Sequence, residues 1–401
     1  MYAFNCGPLV LRRLIPIIFF IITGVAHSQD PPSPIRIALF NIWELSSEKL
    51  QMVNDQGQGM NEQLIAAAQI IQKINPDILV INEIDHDYDN LDQGLQLNLI
   101  RFEKHYLRVG ENRVAFSYKF TAPCNTGIPT GLDLNQDGIV SDESQVGTRD
   151  YGADCFGYGT YPGQYAMGLY SKFPIDSNHV RTFKKFLWKD LPEHHMPPDY
   201  YTADAVQIFR LSSKSHWDIP IHIDGKTLHL FLSHPTPPAF DGEEDRNGRR
   251  NFDEIKFWVH YINNDEALYD DKDVQGGYNS SDPFLIAGDL NASRHSDTRF
   301  EYMTAIDQLH NHPKIIESGK WIVSRGGWEG RVKGPPDYWE RNTAKFGNDY
   351  RMQIDYLLPS KEIEIKKGGV FWPSEKKDPQ GNSLAEKASD HRLVWLDIIL
   401  P

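Results

Sequence analysis

The chain has 401 residues, of which 40% are hydrophobic and 24% charged, with 30 glycines and 25 prolines. That balance is globular, with no low-complexity tract and no repeat. The formal net charge of −14 repels polyanions at long range, which excludes a protein that coats nucleic acid. It leaves room for an enzyme that cuts it, through a local basic groove and a bound cation.

Residues 1–28 read as a secretory signal. Arg12 and Arg13 open it, an apolar run follows over 14–22, and Ala26-His27-Ser28 supplies a small-x-small site before Gln29. The alternative is an uncleaved anchor. The run is short for a membrane span and no other stretch has the length of one, so no stable span is expected after cleavage. The expected location is secreted or periplasmic. Cleavage removes Cys6 and leaves Cys124 and Cys155, which pair as a disulfide in an oxidising compartment or remain two buried thiols.

Residues 29–401 read as one domain. A strand over 35–40, an amphipathic helix over 61–74 and a buried strand over 78–81 set a strand–helix–strand start, which suits an α/β layer protein. Further strands are predicted at 114–118, 166–170, 228–232, 284–287, 354–358 and 393–399. A helix fits 248–263, with Phe252, Ile255, Val259 and Ile262 on one face. Two stretches lack this rhythm and read as insertions. One, near 120–163, is rich in Gly, Asp and Thr; the other, near 181–220, clusters aromatics, prolines and cations.

Polar groups recur at the ends of the apolar runs, where loops gather chemistry on a rigid frame. Glu83, in Ile81-Asn82-Glu83-Ile84-Asp85, is placed as a Mg²⁺ ligand or as a salt-bridged rim residue; Asp85, Asp87 and Asp89 read as solvated loop charges. In Gly288-Asp289-Leu290-Asn291, an extended backbone points Asp289 and Asn291 the same way, one to take a proton from water and the other to donate to a phosphoryl oxygen. An Asx turn closing the strand is the equal alternative. In Ser389-Asp390-His391, His391 needs an orienting acid from elsewhere, and Asp355 in Gln353-Ile354-Asp355-Tyr356 is the candidate. His234, before the rigid Pro235-Thr236-Pro237-Pro238, is a phosphate contact, a general acid or a backbone anchor. Lys184, Lys185, Lys189, Lys214, Arg246, Arg249 and Arg250 either hold a substrate phosphate or form a solvated face.

In order, Asn41, Glu83, Tyr170-Ser171-Lys172-Phe173-Pro174-Ile175, His234, Gly288-Asp289-Leu290-Asn291, Asp355-Tyr356 and Ser389-Asp390-His391 resemble the endonuclease/exonuclease/phosphatase (DNase I-like) superfamily. The resemblance spans about residues 35–399. It implies a four-layer sandwich of two packed mixed sheets flanked by helices. It also implies Mg²⁺ or Mn²⁺ on Glu83 with Asp390 nearby, and Asp289 activating water. Asn41 and Asn291 would orient water and phosphate. His391, paired with Asp355, and His234 would bind the phosphoryl group. The proline-rich His234 segment and the two insertions depart from the compact nucleases. The expected activity is hydrolysis of an organic phosphomono- or diester by in-line attack of water, with a small phosphoester favoured over nucleic acid. The alternatives are a secreted DNA or RNA endonuclease and a catalytically inactive binding module on the same fold.

The first insertion also carries Asp133-Leu134-Asn135-Gln136-Asp137-Gly138, the first half of a calcium loop. Ser144 stands where such a loop ends in Glu. Asp133, Asn135 and Asp137 are thus candidate ligands of a structural Ca²⁺, or parts of a plain Asx-rich turn.

Overall fold

The computed structural model describes residues 1–5, 7, 33–295, 299–331, 339–347 and 349–401. The signal-peptide reading and Cys6 fall almost wholly outside the described residues. Pro34–Pro401 form one compact unit, separate from Met1–Ser33. Among the described residues no helix is long and apolar enough to cross a membrane.

In chain order the main elements are β1 (Ile35–Leu45), α1 (Glu62–Ile74), β2 (Ile78–Ile84), β3 (Tyr118–Phe120), β4 (Met167–Ser171), β5 (Arg181–Thr182), β6 (His216–Ile223), β7 (Lys226–Ser233), α2 (Arg246–Ile262) and β8 (Phe284–Asp289). A short ribbon of β9 (Ala344–Phe346) and β10 (Tyr350–Met352) follows. Then come β11 (Asp355–Pro359), β12 (Glu364–Val370), α3 (Pro379–Ala388) and β13 (Val394–Ile399). One sheet runs β12-β13-β1-β2-β4-β3 and the other β11-β8-β7-β6-β5. Both are mixed: β1–β2 and β7–β8 are parallel, and the other pairs are antiparallel.

Strand alternation sorts the apolar residues into three layers. Ile37, Leu39 and Val80 of the first sheet meet Leu230, Leu232, Leu285, Ala287 and Leu357 of the second in the central layer. Ala38, Phe40, Leu79 and Ile81 point the other way, against Leu64 and Ile71 of α1 and Ala385 of α3. Phe231 and Ile286 carry the outer face of the second sheet against Phe252, Ile255 and Trp258 of α2. The result is two mixed sheets flanked by helices.

Two expectations are corrected. Residues 114–117 are not a strand; pairing starts at Tyr118, opposite Ser171. The second irregular stretch yields β5 and the first half of β6, so residues 216–220 belong to a central hairpin with β7 rather than to an excursion.

The disulfide expectation is also corrected: Cys124 and Cys155 are both free and buried. Cys124 Sγ lies 3.0 Å from Thr126 Oγ1, while Cys155 Sγ donates to Tyr151 O at 3.2 Å. The segments are instead joined by backbone pairing of Thr126 with Gly157 and Pro129 with Cys155, which turns the two thiols toward separate partners. In the Asp133–Gly138 turn, Asp133 accepts from the amides of Asp137 and Gly138, and Asn135 Nδ2 donates to Asp137 Oδ2 at 3.0 Å.

Candidate active site

Asn41 has the inward parity of Ile37 and Leu39. Asn82 has that of Ile78 and Val80, Asp289 that of Leu285 and Ala287, and Asp355 that of Leu357. All four therefore point into the space between the sheets, at the end where the apolar residues stop. All four are buried. A buried polar group is costly unless bonded, and here each bonds across strands or across sheets. Asn82 Oδ1 accepts from Asp289 N at 2.9 Å, joining the first sheet to the second. Asn41 Nδ2 donates to both Asp289 Oδ2 (3.0 Å) and Glu83 Oε1 (3.1 Å).

Glu83 by parity would face α1. A bulge prevents this: residues 42–44 of β1 stand opposite the single Glu83 of β2. Glu83 takes φ 65° and Glu44 φ 48°, left-handed values that a side chain adopts only under constraint. Glu44 N then donates to Glu83 Oε2 at 3.1 Å, and the carboxylate is held at the rim beside Asn41.

β8 ends at Asp289, and the chain turns. Asn291 has φ 50° and its N–H donates to Asp289 Oδ1 at 2.9 Å. The Asx turn, not the extended pair, is what forms, so the two side chains do not run parallel. Asn291 Nδ2 instead donates to Pro235 O at 3.1 Å, in the loop of His234.

Asp289 stands opposite Asp355 across β8 and β11. Asp355 is fixed by Thr343 Oγ1, which donates to its Oδ2 at 2.6 Å. His391 Nδ1 lies 2.9 Å from that same Oδ2, its ring edge-on to Phe346. His391 Nε2 is 3.7 Å and His234 Nε2 3.5 Å from Asp289 Oδ2. One carboxylate oxygen is thus faced by an amide and two imidazoles.

The two imidazoles hold opposite charge states. Burial disfavours the charge of His391, but Asp355, Asp289 and Asp390 overcome it and raise its pKa to about 10. Burial, Lys214 and the His391 charge push His234 well below its ordinary value, leaving it neutral. Burial raises Asp289 to about 7, opposed by His391 and helped by Asp355.

Asp289, Asp355 and His391 bring three possible ligand atoms within 4.8 Å of one another. A protonated His391 offers no lone pair, and its Nδ1 is already given to Asp355, so this triad suits proton handling better than a metal. A cation fits beside Glu83, where Asn41 Oδ1 is buried and has no hydrogen-bond partner. An acceptor oxygen without a donor, next to a carboxylate, matches the oxygen ligands that Mg²⁺ and Mn²⁺ take. Asp390 lies at the margin, its Oδ1 3.3 Å from Ser389 Oγ.

Some quoted pieces lie elsewhere. Ser171 pairs with Ile78 at the opposite end of β2 from Glu83, so the Tyr170–Ile175 segment shapes the fold away from the rim. Asp85 and Asp87 are buried rather than solvated. Tyr161 OH donates to Asp85 Oδ2 at 2.6 Å, and Arg101 pairs with Asp87. Sequence reading gave no role of their own to Asn82, Thr343 and Ser389. Ser389 Oγ donates to Asn41 O (2.9 Å) and accepts from His391 N (3.1 Å), joining the last loop to β1. The inward parity of Asn82 and the place of Ser389 in the closing motif were the readable signals among them.

The matched family is described as the Endonuclease/Exonuclease/phosphatase family, and the match runs over residues 38–391. The chain belongs to that family. It is therefore a phosphoesterase or nuclease of this superfamily, whose members are generally hydrolases of phosphoester bonds. Among solved structures it is similar to an endonuclease/exonuclease/phosphatase from Beutenbergia cavernae DSM 12333. That likeness has a TM-score of 0.50 at 13% identity and covers 92% of this chain and 72% of that one. The human Nocturnin catalytic domain with bound sulfate anion gives 0.46 at 13%, covering 92% and 94%. Truncated Caenorhabditis elegans TDP2 gives 0.44 at 11%, covering 91% and 97%. At such identities the likeness is one of fold. A comparison with curated proteins finds no significant match.

Proposed function

We propose that this family member is a divalent-metal-dependent phosphoesterase that hydrolyses a small organic phosphomono- or diester outside the cytoplasm. The observation that carries the reading is the convergence of Asn41, His234 and His391 on Asp289 Oδ2, beside Glu83.

Asp289 takes the proton of the attacking water: it is the one carboxylate at the focus, and Asn41 and the Asx turn hold its oxygens in place. His391, kept charged by Asp355, binds a phosphoryl oxygen and stabilises charge there as the bond to phosphorus forms. Neutral His234 orients the same group through a ring nitrogen, since a histidine held uncharged has no acidic proton to give the leaving oxygen. Glu83 and Asn41 Oδ1 would hold Mg²⁺ or Mn²⁺, with Asp390 at the margin. When bound, the ion supplies Lewis-acid stabilisation of charge on phosphoryl oxygens. The net charge of −14 supports a small ester over a polynucleotide. The basic, apolar and small-residue pattern of residues 1–28 supports secretion.

The test is a phosphoester panel run on chelator-treated protein with Mg²⁺, Mn²⁺ or Ca²⁺ restored, together with plasmid nicking. Asp289→Asn should keep the fold and lower kcat roughly a thousandfold. Wild-type turnover in that variant, or nicking without hydrolysis of small esters, defeats the proposal.

A further inference from the structure

Lys214 precedes β6 and is buried, 6% exposed. Burial works against its charge, and the carboxylates of Glu254, Glu83 and Asp289 favour it. Yet among the described residues its ammonium makes neither an ion pair nor a hydrogen bond. Burying an ammonium without a hydrogen-bonded partner is strongly unfavourable. A side chain in that state needs a reason.

The backbone beneath it is held from three sides. Asn125 N donates to Lys214 O at 2.9 Å, and Asn125 Nδ2 to Ser212 O at 2.8 Å. Gly157 packs so closely on Ser213 that a Cβ there would lie 1.8 Å from Ser213 O. Glu254 of α2 completes the bracket. Its Oε1 accepts from Ser213 N (2.6 Å) and Ser213 Oγ (3.0 Å), and its Oε2 from Thr236 N (2.6 Å). One carboxylate thus fixes both the loop of Lys214 and the loop of His234. Glu254 accepts three hydrogen bonds, none of them from Lys214. The arrangement is that of a group pre-positioned for an anion supplied from outside.

We propose that Lys214 is a further substrate-binding residue, donating to a non-bridging oxygen of the phosphoryl group, and that Glu254 is the positioning residue that aligns it with His234. The inference rests on the phosphoesterase reading and adds to it a part for the two irregular stretches. The first, through Asn125 and Gly157, and the second, which contains Lys214, together present one cation to the rim.

The full chain is assayed with Mg²⁺ and with Mn²⁺ on p-nitrophenyl phosphate and bis(p-nitrophenyl) phosphate, with inorganic phosphate as competitor. Lys214→Met should raise KM and the inhibition constant of phosphate about ten- to a hundredfold, the scale of one charge-assisted hydrogen bond. The metal concentration for half-activation should not change. Thermal stability of the metal-free protein should be unchanged or higher, because an unpaired buried charge is gone. Lys214→Arg should recover part of the affinity, and Lys214→Gln serves if the Met variant does not fold. Glu254→Gln should raise KM as well, and combining it with Lys214→Met should add little. Wild-type KM and phosphate inhibition in Lys214→Met overturn the inference, as does a stability loss with unchanged KM, which makes Lys214 structural. A wild-type chain that hydrolyses neither ester and ignores phosphate overturns the phosphoesterase reading along with it. An active wild type with an indifferent Lys214→Met overturns this inference alone.

Discussion

His391 keeps its proton because Asp355, at 2.9 Å from Nδ1, and Asp289, at 3.7 Å from Nε2, face the same ring. Asp355 does for His391 what Thr343 does for Asp355, each fixing the next group's orientation. Asp355→Asn should therefore cost kcat about a hundredfold or more, close to the effect of His391→Ala, with the double variant little worse than either. Steady-state kinetics of the four proteins checks this, and additive losses would separate the two roles. The same cluster sets a pH dependence. Asp289 is raised from 3.8 to about 7 and His391 from 6.5 to about 10, so both hold protons more tightly folded than unfolded. Their contribution to stability is thus fully present at low pH and falls as pH rises. For His391 it is complete below pH 6.5 and lost as pH passes about 10. Melting temperatures of the metal-free protein should fall across that window, and His391→Asn should flatten the fall. An equally steep fall in the variant would place the proton elsewhere.

Elements whose apolar residues alternate or cluster strongly are legible in the chain. β1, β2, β7, β8, β11, β13, α1 and α2 all begin or end near their expected places. Those that fail have visible reasons. β12 is an edge strand with the sequence EIKKGGV, and its lysines and glycines break the apolar rhythm. β6 contains Pro220, which reads as a break, although Trp217, Ile219, Ile221 and Ile223 alternate inward beneath it. The bulge in β1 has no sequence signature, since it arises where Glu44 N must reach the Glu83 carboxylate. Ser389 shows how elements fix the site: its hydroxyl joins β1 to the loop carrying His391 and accepts from Trp43 N at 3.2 Å. Ser389→Ala should lower stability by about 1–2 kcal/mol through unmet backbone groups. It should also reduce kcat more than KM, because every reacting side chain remains but the His391 loop loosens. Denaturant unfolding and kinetics on one preparation check both. Unchanged kcat would mean the loop is held by its other bonds, such as Arg392 Nη1 to His391 O at 3.0 Å.

At the scale of the molecule, the ordered polar residues Asn41, Glu83, His234, Asp289, Asp355 and His391 already stood out from the sequence. Each stands at one end of an apolar run, before or after it, and burial at a strand end is written in the run itself. The α/β layering follows from the same runs. What the tertiary structure alone decided is how these groups face one another. Parity sends Asn41, Asn82, Asp289 and Asp355 into one inter-sheet space, but only the packing of the two sheets brings Asn82 to Asp289, and an amide and two imidazoles to one oxygen. It also decided that Asp289-Leu290-Asn291 turns rather than extends, and that Cys124 and Cys155 point to different partners. Lys214, one of seven cations equally plausible in the sequence, is left buried and unpaired beside the site. Periodicity along a chain records which face of an element is buried. It carries no information on which distant side chain shares that burial, and the charge states of Asp289, His234 and His391 depend on that neighbour.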